Sequence, residues 1–311
     1  MTNKDIIFYF PSNSAENEYM NNQVDIFRAI TKNVYPLKKI LNFKYLFSRN
    51  RNIIVLNWFE DIFSDKCSLS KVLLGIGLLI FLKISSKKII YVRHNLNPHS
   101  NKNIKCFIFF QKALQLFSSN VITHRGIGEN NFVIPHPYYK NKNNLSHKNR
   151  DINYLCFGRI QRYKGIETLL SNWPENEKLL ILGFCDDNQL ELEIERIIND
   201  RSLDVVWVNK RIDKDELDNY LSRTKFVIIP YVDNSMIVSG VFYHSISFGC
   251  NIIMRESKYA HYCMKNYENI YEFNYNNMNI KLDYKENEKL EEQYIHQYSV
   301  ILKKWKEVIN E

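Results

Sequence analysis

The strongest chemical signal in the sequence is Phe157-Gly-Arg-Ile-Gln-Arg-Tyr-Lys-Gly165, which follows a short apolar run and opens a helical pattern. Gly158 permits a tight turn, while Arg159 and Lys164 put two cations beside a helix N-terminus. Backbone N–H groups and fixed positive charge together suit a diphosphate. The plainer alternative is a solvated basic loop. Two further stretches, Asn57-Trp-Phe-Glu-Asp61 and Arg93-His-Asn-Leu-Asn-Pro-His99, also follow apolar runs. Glu60, Asp61 and His94 supply possible general bases there. Against that reading, His94 and Asn95 can serve simply to fix the loop by side-chain hydrogen bonds. Ser239-Gly240 offers a second set of exposed N–H groups for phosphate, or an ordinary serine N-cap.

Other motifs are weaker. Asp213-Lys-Asp215 is spaced like a D-x-D metal motif, but Asp213 to Glu216 reads better as a capping box. Gly126-Ile-Gly128 lacks the third glycine of a dinucleotide fingerprint. His124 and His136 have no partners at metal-ligand spacing, and no G-x-S-x-G, P-loop or H-E-x-x-H occurs. Neither a metal nor another cofactor is expected.

These residues need a frame. Strands are expected at Ile6–Phe10, Ile53–Asn57, Ile89–Arg93 and Asn120–Thr123, with helices near 18–31, 68–84 and 102–117. The polar run Lys140–Asp151 reads as a linker. The pattern then restarts, with strands at Tyr154–Phe157, Leu179–Leu182, Val205–Val208, Phe226–Ile229 and Asn251–Met254. Helices are expected between them, among them 214–222 and 241–248, and a long one near 285–309. Apolar strands separated by helices imply parallel sheets covered on both faces. The expected architecture is α/β, with two Rossmann-like domains facing a central cleft. Residues 1–145 form the first, 146–285 the second, and 286–311 a helix packing back toward the first. Ligands bind beyond the carboxyl ends of such strands, where the motifs above lie.

Charge is uneven along the chain. Residues 1–150 hold 22 Lys+Arg against 8 Asp+Glu, or +14; the remainder holds 20 against 26, or −6, giving the net +8. A basic half of this kind suits an anionic surface. Nucleic acid is disfavoured, because the cations are spread without any recognised nucleic-acid motif. The six cysteines (Cys67, Cys106, Cys156, Cys185, Cys250, Cys263) contain no CxxC pair, which favours buried free thiols in a reducing compartment. The N-terminus lacks a secretory pattern. The longest apolar stretch, Val72 to Leu82, is eleven residues, whereas about 20 are needed to span a bilayer. A cytoplasmic protein follows, with peripheral attachment to the inner face of the plasma membrane as an option. Lys71, Lys83, Lys87 and Lys88 flank the apolar stretch.

FGRIQRYKGIETLL resembles the G-R-x-x-x-x-K-G segment of GT-B glycosyltransferases, in which the Arg and Lys bind the donor diphosphate. VIPHPYY (133–139) and IIPYVDNSMIVSGVFYHSISFGCNII (228–253) resemble two further segments of that fold, in the right order. IIVLNWFED (53–61) and IIYVRHNLNPHS (89–100) are similar to stretches of the exopolysaccharide β-mannosyltransferase-like group. The resemblance covers nearly the whole chain. It implies a glycosyltransferase moving a hexose from a UDP- or GDP-sugar to a lipid-linked oligosaccharide in O-antigen, capsule or exopolysaccharide synthesis. Gly158, Arg159, Lys164, Gly165, Tyr231, Ser239, Gly240 and His244 would bind the donor. Asn57, Trp58 and Asn95 would bind the acceptor, Trp58 stacking on a sugar ring. Glu60 is the favoured base, ahead of His94 and Asp61, because a carboxylate is ionised at neutral pH without tuning. Retaining members carry E-x7-E; Met236 and His244 occupy those positions here, so an inverting, metal-independent reaction is expected. Cys250-Asn251 replaces the usual small residue and proline, and Pro137 stands where glycine is expected. A non-catalytic GT-B-like partner is the alternative.

Overall fold

The computed structural model describes residues 5–13, 17–64, 68–98, 103–127, 132–139, 149–232, 236–276 and 278–311. Cys67, Gly128 and most of the expected linker lie outside them. The chain divides into two units. Unit 1 comprises Met1–Pro137, Ser235–Val238 and Ile295–Glu311; unit 2 comprises Tyr138–Asn234 and Ser239–Tyr294.

In unit 1, β1 (Ile6–Phe10), β2 (Val34–Pro36), β3 (Asn52–Asn57), β4 (Lys88–Arg93), β5 (Asn120–Thr123) and β6 (Phe132–Val133) form one sheet. Its order is β2-β1-β3-β4-β5-β6, and every pairing is parallel. The central strands are isoleucine- and valine-rich and buried on both faces, as a doubly covered parallel sheet requires. Alternation sends Phe8, Ile54, Leu56, Ile89 and Tyr91 to one face. That face packs against α2 (Phe43–Leu46), α3 (Asp61–Ser64), α4 (Leu69–Ser85) and α5 (Ile104–Phe117), through Tyr45, Phe63, Leu79, Leu82, Phe110 and Leu114. Elsewhere in the unit, α1 (Glu18–Ile30) brings Phe27 edge-on to Trp305, their ring centroids 4.9 Å apart.

Unit 2 repeats the plan with β7 (Ile152–Phe157), β8 (Leu179–Leu182), β9 (Val205–Val208), β10 (Thr224–Ile229), β11 (Asn251–Arg255) and β12 (Ile270–Phe273). These pair in parallel in the order β12-β11-β10-β7-β8-β9. Its helices are α6 (Ile166–Asn172), α7 (Asn188–Asp200), α8 (Lys214–Ser222), α9 (Gly240–Ser247) and α10 (Lys258–Asn266). Helix α11 (Leu290–Asn310) starts in unit 2 and ends in unit 1.

Local chemistry sets the helix starts. Asn17, Ser68, Asn103, Asp187 and Ser257 each accept a backbone N–H from the first turn of α1, α4, α5, α7 and α10. Asp213 does the same for α8, its Oδ1 accepting from Glu216 N at 2.8 Å. That carboxylate is therefore a cap. Helix α11 begins at Leu290, five residues later than the sequence pattern suggests. The chain before it is tied down by Asn251, which donates from Nδ2 to Lys285 O and accepts Lys285 N–H at Oδ1. The five described cysteines are buried thiols, not joined in disulfides.

Candidate functional site

In unit 2 the turn after β7 is built by two glycines. Gly158 adopts φ +97° and Gly183, at the end of β8, φ +154°; a Cβ on Gly183 would sit 2.1 Å from Gly158 O. Side chains are excluded from this crossing, where the carboxyl ends of the neighbouring strands β7 and β8 bring their backbones together. Lys164 lies in a single 3-10 turn, Arg162–Lys164, and folds back toward Gly158. Its ammonium nitrogen is also 5.6 Å from the centroid of the Tyr231 ring. Lys164 is buried, and burial pulls its pKa down from 10.5 to about 8. Among the described residues no carboxylate pairs with it. A buried cation left without an anion is costly unless an anion arrives.

Arg159 behaves differently. Its side chain is 61% exposed and bound to Asp186. Gly165, directly before α6, lies against Pro230, whose carbonyl oxygen would be 2.9 Å from any Cβ. Tyr231 is buried and hydrogen-bonded to the Ser239 side chain. Ser239 Oγ in turn accepts Phe242 N–H, so the hydroxyl caps α9. Gly240 lets the Tyr139 hydroxyl approach within 3.2 Å of where a Cβ would be. His244 Nε2 lies 2.9 Å from Asp218 Oδ1, and its ring packs against Tyr139. Burial opposes the Asp218 charge, but the bonds from His244 and Lys214 outweigh it and hold the carboxyl below its usual pKa.

In unit 1 the carboxyl ends of β3 and β4 hold Asn57 and His94. Asn57 Nδ2 donates to Phe10 O at 3.0 Å and to Gln23 Oε1 at 2.8 Å, which turns Oδ1 toward His94 Nε2 at 3.0 Å. His94 Nε2 must then carry the hydrogen, leaving the Nδ1 lone pair as the basic site. Trp58, held at φ +49°, stacks on the His94 ring at 3.9 Å. A positive φ at tryptophan is a strained conformation, of a kind concentrated at functional sites. Asn95 is fixed by its backbone: Gln111 Nε2 donates to its carbonyl at 2.8 Å, and it bridges Met236. Asp61 opens α3, its N–H bonded to Trp58 O at 3.1 Å.

Glu60 is held by Tyr91. Its side chain is 1% exposed, accepts the Tyr91 hydroxyl at 2.8 Å through Oε1, and leaves Oε2 without a partner among the described residues. Burial raises its pKa from 4.5 to about 7, ahead of opposing hydrogen bonds from its own backbone and Tyr91. The premise that this carboxylate ionises without tuning is therefore corrected.

Sequence reasoning missed the group around Tyr19. His94, His124 and His136 all contact its ring, with centroids 4.9 to 5.4 Å away. His124 Nδ1 donates to Ile134 O at 2.9 Å, so its Nε2 accepts from the Tyr19 hydroxyl at 3.1 Å. Burial, first of all, holds all three imidazoles below their usual pKa, His124 at about 4. They are neutral at physiological pH. Among the described residues no set of three or more His, Cys, Asp or Glu is arranged to hold a metal ion.

No protein-family model and no curated protein matches the sequence. Solved structures do. The lipopolysaccharide outer core galactosyltransferase WaaB superposes with a TM-score of 0.62 at 11% identity, over 98% of this chain and 99% of that one. A glycosyltransferase from Rickettsia africae ESF-5 gives 0.60 at 12%, over 99% and 98%. The fold is GT-B. The pneumococcal O-GlcNAc transferase GtfA, solved with UDP and GlcNAc, gives 0.53 at 12% over 85% of this chain. This chain spans only 57% of GtfA. In unit 1, Asn57, Trp58 and His94 lie at or just beyond strand carboxyl ends; in unit 2, Gly158 directly follows β7.

Proposed function

We propose that the protein is a glycosyltransferase that moves a hexose from a UDP- or GDP-sugar to a lipid-linked oligosaccharide. The product would enter O-antigen, capsule or exopolysaccharide synthesis on the cytoplasmic face of the plasma membrane. The observation that carries this reading is Lys164, a buried cation without a carboxylate partner among the described residues, set against a glycine turn on a GT-B fold. Fixed positive charge in a low-dielectric site stabilises a departing diphosphate. Arg159 would reinforce it on release from Asp186, with Gly165, Tyr231, Ser239, Gly240 and His244 shaping the donor pocket.

The reaction is read as inverting and metal-independent. An acceptor hydroxyl attacks the anomeric carbon, the bond to the diphosphate breaks, and a base takes the hydroxyl proton. Glu60 remains the proposed base: a carboxyl poised near pH 7 is suited to that task. His94 Nδ1 is second, and Asp61 third. Asn57, Trp58 and Asn95 form the proposed acceptor side. Two stretches, 53–61 and 89–100, support placing the protein near the β-mannosyltransferase-like group. Incubation with a panel of UDP- and GDP-sugars and a lipid-linked acceptor should release nucleoside diphosphate for one donor. No turnover with any donor would leave the non-catalytic alternative.

A further inference from the structure

The layer of helices over one face of the unit 1 sheet has an outer surface that the transfer reading does not use. The inner sides of α2, α3, α4 and α5 pack on that sheet face. Of the twenty exposed large hydrophobic side chains among the described residues, thirteen lie on this layer. They include Phe43, Phe47, Leu73, Leu74, Ile84 and Leu116, with Phe47 77%, Leu74 67% and Leu116 81% exposed. Helix α4 is apolar on nearly every side, yet only Gly75, Leu79, Leu82 and Ser85 of it are buried. A helix hydrophobic all round is normally covered, and an apolar patch of this extent marks an interaction surface.

Charge selects the occupant. Segments 37–51, 68–88 and 103–117, which build most of the layer, contain eleven Lys+Arg and no Asp or Glu. Lys38, Lys44, Lys83, Lys105 and Lys112 are exposed on it. Two of the lysines expected to serve are already committed. Lys88 is buried, donating to Val308 O at 2.6 Å, and Lys87 pairs with Asp5 at 2.9 Å. A second copy of the chain, docked through the same face, would set its remaining cations against like charges. No helix among the described residues is long and apolar enough to cross a membrane. We infer that this layer lies on an anionic lipid surface, its aromatic and leucine side chains entering the headgroup boundary and its lysines meeting lipid phosphates. The inference deepens the membrane part of the transfer reading by naming the face. Vesicle binding and nucleotide binding are separate readouts, so either can fail alone.

The test is flotation of the full chain with phosphatidylcholine vesicles, with and without phosphatidylglycerol. Binding should require phosphatidylglycerol and weaken at high salt. Phe47→Ser/Leu74→Ser should bind about tenfold more weakly or worse, as should Lys105→Gln/Lys112→Gln, since each surface lysine contributes about fivefold. All proteins should keep wild-type circular dichroism. Should the apolar pair misfold, the lysine pair decides alone. Absent binding to anionic vesicles, equal binding to neutral ones, or unchanged binding by Lys105→Gln/Lys112→Gln overturns the inference. So does a dimer that dissociates on Phe47→Ser/Leu74→Ser.

Discussion

The Lys164 ammonium nitrogen lies 2.8 Å from where a Cβ on Gly158 would stand, so the cation and the glycine turn are one construction. Any side chain at 158 would displace the charge as well as strain the backbone. That coupling gives the first prediction. At neutral pH the folded protein bears the cost of a buried cation whose pKa has dropped from 10.5 to about 8. Lys164→Met removes that cost and should stabilise the free protein by about 2–3 kcal/mol at pH 7. The gain should shrink as pH rises from about 8 to about 10.5, because the wild-type lysine is then neutral in the fold. Nucleotide affinity should fall about tenfold or more. Urea unfolding and calorimetry measure both, and a destabilised variant with normal affinity contradicts the assignment.

Glu60 gives the second. Its folded pKa is about 7 against an ordinary 4.5. Between those values the folded state holds the proton and the unfolded state does not. Stability present at low pH is lost as pH rises through about 7. Glu60→Gln keeps the bond from Tyr91 without the charge. Its advantage over wild type should grow from about pH 4.5 to 7 and level off near about 3 kcal/mol. If Glu60 is the base, wild-type turnover rises through about pH 7 and the variant loses about 10² or more. A stability difference that ignores pH contradicts the buried-carboxyl account. Normal turnover with a dead His94→Ala exchanges the two roles.

The Tyr19 histidines act with the opposite sign. His124 has its folded pKa lowered to about 4, so between that value and about 6.5 only the unfolded state takes the proton. Its stabilising contribution is complete above about pH 6.5 and lost as pH falls toward 4. His124→Gln cannot titrate, so the wild-type advantage should narrow by about 3 kcal/mol between pH 7 and pH 4. Denaturant titrations of both proteins across that range provide the check. A constant difference means the imidazole is not buried neutral.

Much of the fold was legible because buried parallel strands read as apolar runs. Leu179–Leu182 and Val205–Val208 match their expected bounds, and Asp213 announces α8. The strands not foreseen, Val34–Pro36, Phe132–Val133 and Ile270–Phe273, are all at or beside sheet edges and too short for a period to emerge. The site was legible where neighbours in sequence remain neighbours in space, as from Gly158 to Lys164. Tyr19, His94, His124 and His136 span 117 positions and carry no local spacing, so only the folded chain unites them. Nor could sequence show that Lys88 is consumed by Val308, or that Glu60 turns toward Tyr91.

Nucleotide binding tests the central claim most directly. A ligand that binds only the folded state raises the melting temperature in proportion to the logarithm of its excess over Kd. UDP or GDP, one clearly better than the other, should raise the melting temperature of the wild-type protein by several degrees and leave Lys164→Met nearly unmoved. If neither nucleotide shifts the wild-type transition at millimolar concentration, or both proteins shift alike, Lys164 does not hold a donor diphosphate and the transferase reading fails.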